Sequence, residues 1–220
     1  MPYTATAPLK IPHPRSELAW LVYIFCKLGL NLDKLNARLR AFKPVGFPKD
    51  VRIPNFPDKL MKGAAGGVPH SSSTARMTGS QCMHFTLFSA QFFDPLLTPA
   101  MRQHPAWASW VKLVELFTLT VQHELHTDDV ERIDDLVIAH SQLFDAVPEY
   151  NGLKRPKHHF ATHLALDLWR FGPPRGYWCF GFEHFNQLIK RAARHSNWKN
   201  TTVSVMRYWS ARSARALMKL

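Results

Sequence analysis

The sequence predicts an all-α, mainly helical fold: a helical array with one long Pro/Gly/Ser-rich loop and few or no strands. Three observations predict it. Apolar residues recur at three- and four-residue spacing along most of the chain. No sustained period-two alternation marks a half-buried strand. Pro, Gly and Asn stand where helices begin and end.

Residues 1–15 carry four prolines and read as an irregular arm. Residues 16–42 read as N-terminal helices. Ser16 and Glu17 open the first, which runs through Trp20 and Phe25 and stops near Gly29. Asn31 suits an N-cap, and Leu32, Leu35, Leu39 and Phe42 follow at helical spacing. Residues 43–79 change character: Pro44, Pro48, Pro54, Pro57 and Pro69 punctuate them, with GAAGG at 63–67 and SSST at 71–74. They predict a long loop, loose at its centre, and a domain boundary.

Residues 80–220 then read as one helical domain. Gln81–Phe93 is apolar on most faces. Pro105 suits a first helical position, with a stripe of Trp107, Trp110, Val114, Phe117, Val121 and Leu125. Thr127 is the expected cap of the next helix, with Asp128 and Asp129 at its positive end. Its stripe is Val130, Ile133, Leu136, His140, Leu143 and Val147, and Pro148 stops it. Pro156 opens another helix, with Phe160, Leu164, Leu168 and Phe171 expected to be buried, ended by Gly172-Pro173-Pro174. One more helix is expected to reach about His195, and a last one spans 201–219.

The chain has 220 residues, 46% of them hydrophobic and 20% charged, which suits a globular fold rather than a disordered one. Its charge of +12 is uneven. Residues 1–100 carry +7, residues 101–150 carry −6, and residues 151–220 carry +11. A basic third beside an acidic middle points to a polyanionic partner or to charge pairing within the chain. Cys26, Cys82 and Cys179 are odd in number and widely spaced, which fits a reducing compartment. No apolar run reaches the roughly 20 residues of a membrane span, and no signal peptide is evident. The expected location is intracellular and, with a DNA partner, nuclear.

Several constellations bear on chemistry. His159 and His163 share an i,i+4 face, with Asp167 continuing it, but Phe160 stands where a metalloprotease helix needs Glu. A polar face of hydrogen-bonded histidines is the expectation, and no metal site is expected in this chain. Cys82 and His84 lack further ligands nearby and read as a buried thiol and a structural imidazole. GAAGG follows no strand and is a linker rather than a phosphate cradle. Glu183 sits among Tyr177, Trp178, Phe180, Phe182 and Phe185, and is the only acid after Asp167. It shares a helix stripe with Asn186, Gln187, Lys190 and Arg194. That stripe reads either as a solvated face or as a metal-binding acid beside phosphate-holding cations. Tyr208, Arg212, Arg215 and Lys219 likewise share a face, suited to a nucleic-acid backbone or to plain solvation.

RPKHHFATHL followed by RFGPPRGYWCFGFEHFNQLIK resembles a region near the C-terminal end of CACTA (En/Spm-like) DNA transposases, after their RNase H-like core. The motif residues are Pro156, Lys157, His158, His159, His163, Gly172, Pro173, Trp178 and Phe182. ARMTGSQCMHFTLFSAQFF and LNLDKLNARLRAF also look similar, so the likeness covers roughly residues 18–200. Cys82 departs from it, standing where an aromatic is expected. The resemblance implies that Glu183 matches the last acid of a D-D-E set, whose two aspartates would precede residue 1. An intact member would use Mg²⁺; no cofactor is expected in this chain, because one carboxylate cannot hold two metal ions. The implied function is a fragment or domesticated remnant of a transposase, catalytically incomplete, with weak non-specific DNA binding. Its cations are Lys190, Arg191, Arg194, Arg207, Arg212, Arg215 and Lys219. The alternative is a non-enzymatic helical module that binds DNA, chromatin or protein. Expected partners are DNA and no membrane, with self-association or pairing with a missing catalytic core.

Overall fold

The computed structural model describes residues 14–48, 51–61, 77–176, 189–190, 192–194 and 199–217. Among them there are helices and no strand, as the periodicity predicts. The chain divides into two compact units, Met1–Tyr177 and Trp178–Leu220.

In the first unit, α1 (Pro14–Lys27) is the most deeply buried helix. Every residue from Leu18 to Phe25 is at most 7% exposed. LAWLVYIF is apolar on all sides, and a helix without a polar face has to sit inside. It begins two residues before Ser16, with Pro14 in its first turn, where a missing N–H costs nothing. α2 (Leu32–Ala41) is capped as expected: the Asn31 side chain accepts the Lys34 N–H at 2.9 Å.

α3 (Gly79–Phe93) starts earlier than expected because Thr78 and Gln81 form a reciprocal capping box. A short helix, α4 (Pro99–Gln103), follows, and then the longer α5 (Pro105–Thr120). α5 packs against α1, α3, α4 and α6, so it is the hub of the unit. Pro105 opens it as expected, but the buried stripe is rotated. Ala106, Trp110, Leu113, Leu116, Phe117 and Thr120 are inside, whereas Trp107 and Val114 are half-buried and Val121 and Leu125 lie beyond the helix end. Leu113 and Leu116 win because α5 is flanked on several sides, so its buried arc is wider than one seam.

α6 (Thr127–Asp145) is amphipathic. Val130, Ile133, Leu136, Val137, His140 and Phe144 face the core, and Asp128, Glu131, Asp134 and Asp135 face solvent. Its N-cap is His126 rather than Thr127, and Asp129 accepts the His126 N–H at 2.9 Å. Phe144 takes the buried place expected of Leu143.

The helix expected from Pro156 is broken in two, α7 (Pro156–Ala161) and α8 (Leu164–Phe171). The Thr162 hydroxyl donates to the His159 carbonyl at 2.6 Å, taking an acceptor the continuing helix would use. Leu164 and Leu168 are buried as expected, but Phe160 and Phe171 are 44% and 48% exposed. The break turns them off the common stripe. Gly172 ends α8 at φ +74°, a left-handed angle that suits glycine, and its N–H reaches the Leu168 carbonyl.

The segment expected to be a loose loop is anchored on both sides of residues 62–76, which lie outside the described residues. Phe56, Leu60 and Met77 are 1%, 0% and 3% exposed, within the main core. Asn36 fixes the strap with two bonds to one residue: its Nδ2 donates to the Phe56 carbonyl at 3.0 Å and its Oδ1 accepts the Phe56 N–H at 2.8 Å. Proline-rich sequence here is an extended strap over the core. In the second unit, α9 (Thr201–Leu217) is helical, close to the expected span.

Candidate functional site

The most unusual chemical grouping in the first unit is a carboxylate sealed between two imidazoles. Glu17 is 2% exposed, in the first turn of α1. One of its oxygens lies 2.9 Å from Nε2 of His140, and the other 3.2 Å from Nε2 of His158. The three residues come from α1, α6 and α7 and are 123 and 141 positions apart from Glu17 in the chain.

Local sequence sets each ring. His140 stands on the apolar stripe of α6, four residues before Phe144, so the helix carries it inward. His158 is the third residue of α7. Its Nδ1 accepts the Arg155 backbone N–H at 3.0 Å, as a side chain closing a helix start does. With Nδ1 turned to the Arg155 backbone, Nε2 is the His158 atom that faces Glu17. The two rings are parallel, 2° apart in plane, with centroids 6.3 Å apart.

Burial by itself pushes the Glu17 carboxyl upward. Charge attraction from His140, hydrogen bonds from both imidazoles and charge attraction from His158 outweigh it and hold the group at about 2. Around the trio, Phe144 lies 4.6 Å from His158 and 4.7 Å from Tyr150, ring centre to ring centre. Trp20 lies 5.6 Å from Tyr150, with the Arg155 guanidinium 5.6 Å over its ring. Burial, then the nearby Glu17 and Glu149 charges, raise the Tyr150 phenol, which stays protonated. With both carboxylate oxygens engaged and aromatic walls outside, the trio ties three helices together and offers no face to a substrate.

Pro156 occupies the first position of α7, and His158 is drawn inside. His159 and His163 no longer share one helix; their exposed rings meet edge-on at 5.1 Å and 88°. Gly172 and Pro173 end α8. Lys157 is half-buried. Lys190, Arg194 and Arg207 are exposed, and Arg212 and Arg215 stand on the α9 backbone with side chains outside the described residues. Glu183, Trp178, Phe182, Arg191 and Lys219 lie outside the described residues.

Among the described residues, no group of three His, Cys, Asp or Glu side chains is disposed to hold a metal ion. Glu17 does not suit the Mg²⁺ that the transposase resemblance implies, because both its oxygens already accept imidazole bonds. Cys82 is a buried thiol as expected, raised to about 11 by burial. No described helix is long and apolar enough to cross a membrane.

Sequence reasoning passed over Glu17 as a partner. Part of the signal was present: one acid at the edge of an apolar run, and His140 on the apolar stripe of its helix. Charged groups are rarely fully buried unless paired. No family model, curated protein or solved structure matches the chain.

Proposed function

We propose that the chain is a helical, transposase-derived protein that associates with DNA through backbone charge and does not itself cut or join strands. One observation carries the reading. Residues 184–220 hold eight Lys/Arg and no Asp/Glu, and they include α9 and the exposed Lys190, Arg194 and Arg207. An unrelieved run of cations displaces counterions from DNA without reading its bases. Two-metal strand transfer needs several carboxylates from different elements, and only Asp167 and Glu183 follow Glu149.

A second reading, a protein-interaction module, draws on α8, where Leu166 and Trp169 are 48% and 59% exposed. Salt separates the two. A labelled duplex titrated at several salt concentrations should bind weakly, with Kd of ~10⁻⁴ to 10⁻⁶ M near physiological salt. Arg212→Ala/Arg215→Ala should lower the salt slope by about 2 and weaken all sequences alike. No binding even at low salt, or an unchanged slope, favours the interaction module. Nicking with Mg²⁺ should be absent; robust nicking that Glu183→Gln abolishes would overturn the inactive reading.

A further inference from the structure

We infer that a cleft beneath the proline-rich strap binds single-stranded nucleic acid, through residues other than the cations of residues 190–219. The cleft has a volume of about 770 Å³ and lies between the end of α2 and residues 42–48 and 51–53. That is within the roughly 300–1,000 Å³ of ligand pockets. Arg40, Lys43 and Arg52 line it, all exposed, and no acid is among its described lining residues. None of the three is in a salt bridge among the described residues. Neighbouring Arg38 is different: its Nε donates to the Phe92 carbonyl at 3.0 Å and its guanidinium lies over that ring, so it is structural.

Aromatic rings share the cleft with these cations. Phe42 and Phe47 line it, both half-buried, with centroids 6.4 Å apart at 66°. They are held rigidly from behind. Phe42 packs on Phe92 at 5.1 Å, and Phe47 on Phe88 at 5.5 Å. A turn closed by the Phe47 N–H on the Pro44 carbonyl, with Gly46 at φ +85°, aims Phe47 at those rings. Fixed aromatic platforms with nearby cations take phosphates on the charges and bases on the rings. Only an unpaired strand offers base faces; in a duplex they are stacked inside. An acidic peptide satisfies the cations and leaves the rings unused.

The test uses the full chain and oligothymidylate, an abasic strand of equal length, duplex DNA and polyglutamate as probes. Binding is followed by anisotropy over a range of salt. Oligothymidylate should bind more tightly than the abasic strand. Arg40→Ser/Lys43→Ser/Arg52→Ser should lower its salt slope by about 2 units, the single-strand value for three phosphates. Phe47→Leu should weaken oligothymidylate roughly 5-fold or more and leave the abasic strand unchanged. Arg212→Ala/Arg215→Ala should leave the thymidylate preference intact, which separates this cleft from the duplex contacts. Circular dichroism melting confirms that each variant is folded. Equal binding of thymidylate and abasic strands, or an unchanged slope in the triple variant, overturns the assignment. Polyglutamate binding as tightly as oligothymidylate also overturns it, in favour of an acidic protein partner.

Discussion

Glu17 and His140 meet inside the core at 2.9 Å, although 123 residues separate them in the chain. The contact is what makes α1 tolerable as a buried helix. A lone carboxylate in that position would cost several kcal/mol in desolvation. The two imidazoles, one on each carboxylate oxygen, offset that cost. The trio also couples the start of the unit to α6 and α7.

Acid should weaken the fold through this group. Its folded value of about 2 lies below the ordinary 4.5. The ionised carboxylate therefore contributes its full stability above about pH 4.5. That stability is lost as pH falls towards 2, because the unfolded chain takes up its proton first. The shift corresponds to roughly 3 kcal/mol. Urea midpoints measured across acidic pH should fall more steeply for the natural chain than for Glu17→Gln. Parallel pH profiles for the two proteins would refute the ionised pairing.

Asn36→Leu should release the strap. It leaves the Phe56 N–H and carbonyl without the partners they have at 2.8 and 3.0 Å. Unsatisfied buried groups cost about 1–3 kcal/mol each, partly recovered when water reaches them. Hydrogen exchange at the Phe56 amide should accelerate well beyond the change in the α6 amides. Uniform acceleration along the chain would mean that Asn36 holds no local strap.

The helical plan was legible where local chemistry decides it. Asn31, Pro105 and Gly172 mark helix ends because capping and φ preferences act within a few residues. Rotations and partners were not legible. The α5 stripe turned towards Leu113 and Leu116 because four helices surround it, which periodicity in one segment does not encode. Pro54 and Pro57 read as loop punctuation, yet Phe56 between them is core, since one apolar ring outweighs its proline neighbours. The Glu17 trio spans three helices, and nothing within α1 alone names His140 or His158.

Cys82 should resist thiol reagents in the folded protein. Burial raises it to about 11, so little thiolate exists at mildly alkaline pH. Mass mapping after brief treatment with iodoacetamide should find Cys82 unmodified, and modified once urea unfolds the chain. Rapid native labelling would show that α3 opens far more readily than its packing implies.

Gly46→Ala should strain the turn that shapes the cleft. At φ +85° an L-residue costs about 1–2 kcal/mol. A methyl group there also comes to 3.7 Å from the Phe88 ring, ordinary contact rather than a clash. The loss therefore comes from backbone angle alone. Gly46→Asn, which tolerates this region better, should lose less in thermal melts; equal losses would point to crowding instead.

The measurement that bears most directly on this account is a double-mutant cycle at neutral pH with Glu17→Leu, His140→Leu and the pair together. Each single variant strands a partner in the core and should lose about 3–5 kcal/mol. The double variant removes both groups and should lose far less than the sum, giving a coupling of at least about 2 kcal/mol. Losses that add to within about 0.5 kcal/mol would show that Glu17 and His140 do not hold each other in the core, and would contradict the clamp.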